Sequence, residues 1–340
     1  MGTDGDRGGE SAGVHELRFD PFLDEWVMIA CARHARPDRP SGDCPFCVGG
    51  LEAPEPYRVK AFPNRFPALV PGEGAQREVG PYGAAPPAGA CEVVLYSPDH
   101  DARLYQLAQD QVEELVDLWA ERTAALGARS EIEYVLVFEN RGEEVGVTIH
   151  HPHGQIYAFS FVPPLVARRL ASETRHFRQT GRCLRCEAAA FERSGPRLVI
   201  ENDSWSGYIP FAARWPFGVH LVTRRHVGSL PELDAGERRD LARILRRLVA
   251  GFDALFDRSF PFMMLVYQTP TDGREHPEAH LHIEFFPPLR GPRQVKYVAG
   301  VETGTGTHAN PTSPEEKAAE LRAALERAVG GQAPGREVDL

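Results

Sequence analysis

The sequence lacks any apolar run approaching the ~20 residues that a membrane-crossing helix needs. It also lacks a secretory signal. Its first residues, MGTDGDRGGESAG, are polar, glycine-rich and acidic, and read as a disordered leader over 1–14. Positive charge is in deficit: 38 Lys and Arg stand against 48 Asp and Glu, for a net charge of −10. That argues against a general nucleic-acid binder, which usually carries a basic face, but leaves room for a local basic pocket. Cysteine is scarce, at six in 340 residues. These absences describe a cytoplasmic protein with reduced thiols, where clustered cysteines point to metal or catalysis rather than to disulfides.

Apolar residues at 42% and charged residues at 25% describe an ordinary globular chain with enough length for a sizeable core. The length is roughly two domains' worth. Four of the six cysteines form two pairs, Cys44 with Cys47 in CPFC and Cys183 with Cys186 in CLRC. Cys31 and Cys91 stand alone and are expected as small buried apolar residues.

The pairs open two similar halves, and such self-similarity outranks any local signal. The first half runs from Cys44 and Cys47 through EVVLYSPDH, ending at His100, to an amphipathic segment, the apolar YVLVF, and then HPHGQ from His151. The second runs from Cys183 and Cys186 through GVHLVTRRH, ending at His226, to another amphipathic segment, FMMLVYQ, and HLHIE from His280. His100 and His151 are 51 positions apart, and His226 and His280 are 54 apart. Leu104, Leu107, Val112, Leu115, Val116, Trp119 and Leu126 fall at helical steps, as do Leu241, Leu245, Leu248, Val249, Phe252 and Leu255. The flanking Val-, Tyr- and Phe-rich runs read as strands. The fold class is therefore α+β, two tandem repeats of antiparallel sheet with helices forming one pseudo-symmetric unit. The boundaries read 15–172 and 173–325, with Arg175–Arg182 near the opening of the second unit and a tail over 326–340. Ser313-Pro314-Glu315-Glu316 predicts a capped helix before that tail.

Structural zinc takes four thiolate or imidazole ligands in a tetrahedron. Each half offers such a set: Cys44, Cys47, His100 and His151, then Cys183, Cys186, His226 and His280. A lone C-x-x-C could be a redox pair; two, each followed by histidines at matching distances, favour zinc. Along a strand, i and i+2 share a face. His151 given to metal therefore leaves His153 beside it, with Gln155 next. A free imidazole suits covalent attack on phosphorus, provided its other nitrogen keeps a proton on a fixed acceptor. Gly154, without a Cβ, would let a phosphate approach the backbone.

At this point HHPHGQIYAF resembles the active-site motif of the galactose-1-phosphate uridylyltransferase family, within the histidine-triad superfamily. The resemblance spans about residues 17 to 325 and implies two histidine-triad-like domains. CPFC and SPDH resemble the family's zinc-ligand stretches. CARHARP resembles the stretch that meets the nucleotide diphosphate, implying Arg33 and Arg36. FPNRFPAL resembles the uridine loop, implying Asn64 and Phe66, and FENRGEEVGVT the phosphate stretch, implying Asn140, Gly146 and Thr148. KYVAGVE resembles the sugar-phosphate segment, implying Lys296 and Glu302, with His308 in the loop that follows. The family implies ping-pong transfer of UMP from UDP-glucose to galactose 1-phosphate through a uridylyl-histidine at His153, with Gln155 bonding the transferred phosphoryl group. It also implies a homodimer. Arg33, Arg36 and Lys296 could supply the positive charge that phosphoryl chemistry demands.

The chain departs from that pattern in places. Tyr267 and Glu284 stand where some members place histidines for a second, non-zinc metal, which argues against an iron-type site. The second Cys/Cys/His/His set resembles the two-zinc branch, which includes plant enzymes acting on ADP-glucose. Val301 stands where better-known members have tyrosine, and His308 where a glutamine meets the hexose phosphate. Sugar and base stay open on these grounds, with an ADP-glucose phosphorylase as the alternative. A zinc-bearing binding module without chemistry is disfavoured by intact His153 and Gln155. A hydrolase is disfavoured because histidine-triad hydrolases carry histidine where Gln155 stands. His282 is the counterpart of His153, but Glu284 follows it and no PHG does, so a structural or site-lining role is expected. His34, His150, His220 and His276 have no assigned partner and read as surface or core filling.

Overall fold

The computed structural model describes residues 14–31, 33, 44–72 and 74–330. Most of the leader and the last ten residues lie outside that set, as do His34 and Arg36.

The main sheet is antiparallel and has nine strands. From the first half come β3 (Lys60–Pro63), β6 (Gly89–Leu95), β7 (Tyr134–Arg141) and β8 (His153–Phe159). From the second come β9 (Leu198–Glu201), β10 (Trp205–Tyr208), β11 (His220–Thr223), β12 (Phe262–Tyr267) and β13 (His282–Phe286). Their order, β3-β6-β8-β7-β12-β13-β11-β10-β9, is nearly a palindrome about the β7–β12 pair. The duplication legible in the sequence is thus one continuous sheet. Its seam runs from Val137 opposite Val266 to Arg141 opposite Phe262. A second sheet of four strands is built from β1 (His15–Asp20), β2 (Glu25–Ala30), β4 (Arg77–Val79) and β5 (Tyr82–Ala85).

Strand alternation gives the main sheet two different faces. One buries Val94, Val135, Val137, Ile156, Ala158, Met264, Val266 and Ile283 against α1 (Gln109–Gly127) and α4 (Ala235–Phe256). Val112, Leu115, Val116, Trp119 and Leu126 of α1 point inward, as do Leu241, Leu245, Leu248, Val249 and Phe252 of α4. Each such side chain contributes about 1.5–3 kcal/mol of transfer free energy. Leu104 and Leu107 are buried as their spacing predicts, but they precede α1: Leu104 opens a short 3₁₀ turn. Asp234 caps α4 by accepting from Glu237 N.

The other face carries polar side chains among the apolar ones. In the first half it presents His153, Gln155 and Tyr157 in a row; in the second, α2 (Pro164–Thr180) and α3 (Leu184–Arg193) lie over it. Ser313 Oγ accepts from Glu316 N at the start of the last helix, as the cap motif predicts. This last helix, Pro314–Gly330, runs past the boundary drawn at 325, so 326–330 are helix rather than tail. No helix among the described residues is long and apolar enough to cross a membrane.

Candidate functional site

Both Cys/Cys/His/His sets come together. Within each, the candidate ligand atoms lie within 4.8 Å of one another. In the first, Cys47 Sγ is 3.6 Å from both His100 Nδ1 and His151 Nδ1. His151 is 1% exposed, and its far nitrogen Nε2 meets the Ser97 carbonyl at 2.7 Å and the Tyr57 hydroxyl at 2.9 Å. A ring that donates from Nε2 keeps its Nδ1 lone pair turned toward the cluster. Burial lowers the His151 pKa and favours the neutral ring that a metal requires.

The second cluster repeats this pattern. Cys183 occupies the N-cap position of α3, without a side-chain cap bond, and Cys186 sits in its first turn. Cys186 Sγ is 3.6 Å from His226 Nδ1 and 3.3 Å from His280 Nδ1, while His280 Nε2 meets Thr223 Oγ1 at 2.6 Å. The Cys186 thiol, then His280, lower the Cys183 pKa against the opposing effect of burial. The donor chemistry of both sets, with the second nitrogens of His151 and His280 already anchored, fits a tetrahedral metal. Ser97 and Thr223 are supports the sequence reading missed. Thr223 offered a signal, a hydroxyl residue three positions before the candidate ligand His226, whereas Ser97 acts through its backbone carbonyl, which no side chain announces. Tyr57 gave no signal.

His153 opens β8 just beyond the first cluster. Its Nδ1 lies 2.8 Å from the His151 carbonyl. With Nδ1–H donating there, Nε2 carries the lone pair. Gln155 follows on the same face, and Asn64 Nδ2 donates to Gln155 Oε1 at 3.4 Å. Asn64 Oδ1 in turn accepts from Phe66 N at 2.8 Å, which shapes that loop. Arg33 Nη1 donates to Tyr157 Oη at 2.7 Å, placing a guanidinium at the next step of the row. Asn140 lies on β7 two residues past Phe138, which pairs with Gln155. Gly146 has φ +85, a left-handed turn that favours glycine, ahead of Thr148. So Arg33, Asn64, Phe66, Asn140, His153 and Gln155 share one region of the first half.

Lys296, Glu302 and His308 form a separate cluster. Lys296 Nζ is 3.0 Å from Glu302 Oε1 and lies 5.1 Å from the Trp215 ring centre. The Lys296 hydrogen bond holds the Glu302 carboxyl at about 2. Burial, then Arg214 and Lys296, lower the His308 pKa.

Several expectations change. Cys31 is exposed, because it follows β2 in the smaller sheet rather than entering the core; Cys91 is buried as expected. Gly154 does not open the backbone to a ligand. It faces the opposite side from His153, and a Cβ there would lie 2.3 Å from Tyr96 Oη. His276 and His220 have acidic partners: His276 Nε2 is 2.9 Å from Asp272 Oδ1, and His220 Nε2 is 3.4 Å from Glu284 Oε1. His150 is a surface residue 3.3 Å from Glu143.

His282 repeats the His153 arrangement, with Nδ1 2.7 Å from the His280 carbonyl, but its surroundings are closed. Its ring stacks on Tyr267 at 5.1 Å, and Arg169 of α2 spans the site with two hydrogen bonds to Glu284, at 2.8 and 2.7 Å. Sequence reading missed Arg169, an ordinary helix arginine far from either motif.

The fold and site define a duplicated α+β protein with one Cys/Cys/His/His cluster per repeat and a tautomer-fixed histidine beside each. Two family models match it, the galactose-1-phosphate uridyl transferase N-terminal domain over residues 44–163 and the C-terminal domain over 171–328. The chain belongs to the galactose-1-phosphate uridylyltransferase family. It is 40% identical over 311 residues to the galactose-1-phosphate uridylyltransferase of Thermotoga maritima, covering 90% of this chain and 98% of that one. To the ADP-glucose phosphorylase of Arabidopsis thaliana it is 29% identical, over 90% and 93%. A solved uridylyltransferase structure superimposes with a TM-score of 0.85 at 32% identity, covering 92% of this chain and 99% of that one.

Proposed function

We propose that the protein is a nucleotidyltransferase that moves UMP from UDP-glucose to galactose 1-phosphate in a ping-pong reaction. The observation that carries this reading is the 2.8 Å contact between His153 Nδ1 and the His151 carbonyl. It leaves Nε2 as the nucleophilic nitrogen beside an amide donor. Nε2 attacks the α-phosphorus, a P–N bond forms, the phosphoanhydride bond breaks, and glucose 1-phosphate leaves. A phosphate oxygen of galactose 1-phosphate then attacks the same phosphorus, the P–N bond breaks, and UDP-galactose departs. Gln155 Oε1 already accepts from Asn64, so its NH2 group is left to bond the phosphoryl oxygens. Arg33 and Arg36 neutralise the diphosphate, Asn64 and Phe66 hold the uridine, and Asn140, Gly146 and Thr148 line the phosphate. Lys296, Glu302 and His308 hold the sugar phosphate. Zinc is the ion proposed for both clusters, held by Cys44, Cys47, His100 and His151 and by Cys183, Cys186, His226 and His280; it supplies structural cross-links. The family resemblance supports a cytoplasmic homodimer.

The second reading is adenylyl transfer from ADP-glucose to phosphate. The similarity to an ADP-glucose phosphorylase and the intact second cluster favour it. A panel of nucleotide sugars against sugar 1-phosphates and inorganic phosphate, with products read by mass, separates the two. His153→Gly is expected to abolish incorporation of radiolabelled UMP into the protein. Normal labelling of that variant would overturn the nucleophile.

A further inference from the structure

We propose that Tyr96 is a positioning residue for the reaction, the rigid wall against which the His153–Gly154–Gln155 segment is seated from behind. The inference rests on the reading of His153 as nucleophile. β6 and β8 pair with Val93 opposite Gln155, Val94 opposite Gly154 and Leu95 opposite His153. Tyr96 is the next residue, and its N–H donates to the Pro152 carbonyl at 3.2 Å, so its backbone grips the chain just before His153. Its ring is 1% exposed and packs edge-on against Trp119 of α1 at 5.9 Å. Gln111 Nε2 of α1 donates to its carbonyl at 2.8 Å. The side chain is therefore fixed from the helix layer.

The phenol ends where a Cβ on Gly154 would stand, 2.3 Å from Oη and 3.1 Å from Cζ, with the Phe138 carbonyl at 3.0 Å. The glycine between the two proposed active-site side chains thus serves the protein side of the sheet. It lets β8 lie flat on Tyr96, and that contact sets how far His153 and Gln155 project on the other face. The hydroxyl lies in the buried interior beside the Glu139 carboxyl. It also fills the space opposite Gly154.

The test is a size-complementarity cycle on the full-length protein, with Gly154→Ala, Tyr96→Phe and the double variant, reading kcat, KM and the thermal midpoint of each. A misplacement of ~1 Å costs roughly 100-fold in rate. Gly154→Ala is accordingly expected to lose about that in kcat, with KM changed about threefold or less. Removing Oη in the double variant relieves the closest clash, leaving the tighter-than-usual contacts to Cζ and the Phe138 carbonyl, and is expected to restore kcat by about tenfold or more. Recovery of the thermal midpoint without recovery of kcat would overturn the proposal, leaving Tyr96 as core filling. If Gly154→Ala alone does not fold, the double variant still decides: active supports the proposal, folded but inactive overturns it. His153→Gly, run alongside, tests the nucleophile separately, since the positioning claim stands or falls on the cycle.

Discussion

Glu139 shows how the helix-packed face changes a single residue. It is 8% exposed, on β7 behind the candidate site. Burial pushes its carboxyl up to about 7, against the smaller opposing pulls of Arg141 and Tyr96. Below about pH 4.5 the folded and unfolded chains both hold this proton, and the residue adds no pH dependence. From there to about pH 7 the unfolded chain releases it while the folded chain keeps it, so stability falls as pH rises; above that range the effect levels off. Glu139→Gln removes the term. The variant's thermal midpoint relative to the parent should rise from pH 5 to pH 8, equivalent to roughly 3 kcal/mol. A difference that stays flat over that range would place the ionisation elsewhere. Nothing in YVLVFENR announces this behaviour, because desolvation is set by α1 and α4 packing over the strand. HPHGQ is legible by contrast because its residues are adjacent and strand alternation alone puts His153 and Gln155 on one face.

The two clusters show what whole elements contribute. The first ties the Cys44–Cys47 turn to the ends of β6 and β8, and the second ties the α3 N-terminus to the ends of β11 and β13. The first stands beside His153, whose Nδ1 partner is the carbonyl of His151, itself a member of the cluster. On the proposed assignment of zinc to both clusters, Cys47→Ser and Cys186→Ser should each lose one equivalent of zinc by elemental analysis. Cys47→Ser should lower transfer about 10–100-fold, as loss of a supporting contact does, and Cys186→Ser far less. Equal losses would mean that the second cluster also shapes the active region. The two Cys/Cys/His/His sets were readable because duplication wrote the spacing twice. The placement of α2 and α3 was not, since Arg169 and Arg185 look like any solvent-facing helix arginines until Glu284 is found beneath them.

At the scale of the whole molecule the seam decides behaviour. Two repeats could fold as two bodies joined by a linker, and sequence periodicity does not distinguish that from fusion, because hydrophobic pattern sets each strand's face but not its neighbour across a repeat boundary. Here β7 and β12 pair over five residues, and a single core cluster includes Val135 and Ile156 from one half and Val266 and Ile283 from the other. Dividing the chain between 172 and 173 would expose both seam strands as long apolar edges, which invite aggregation. Each half expressed alone is therefore expected to be insoluble, and co-expressed halves to recover together as one soluble complex. The intact chain should unfold in one calorimetric transition, because melting either half strips the other's edge and core. Two resolved transitions, or a soluble and folded 15–172 fragment, would mean that the seam contributes little and that each repeat carries its own stability.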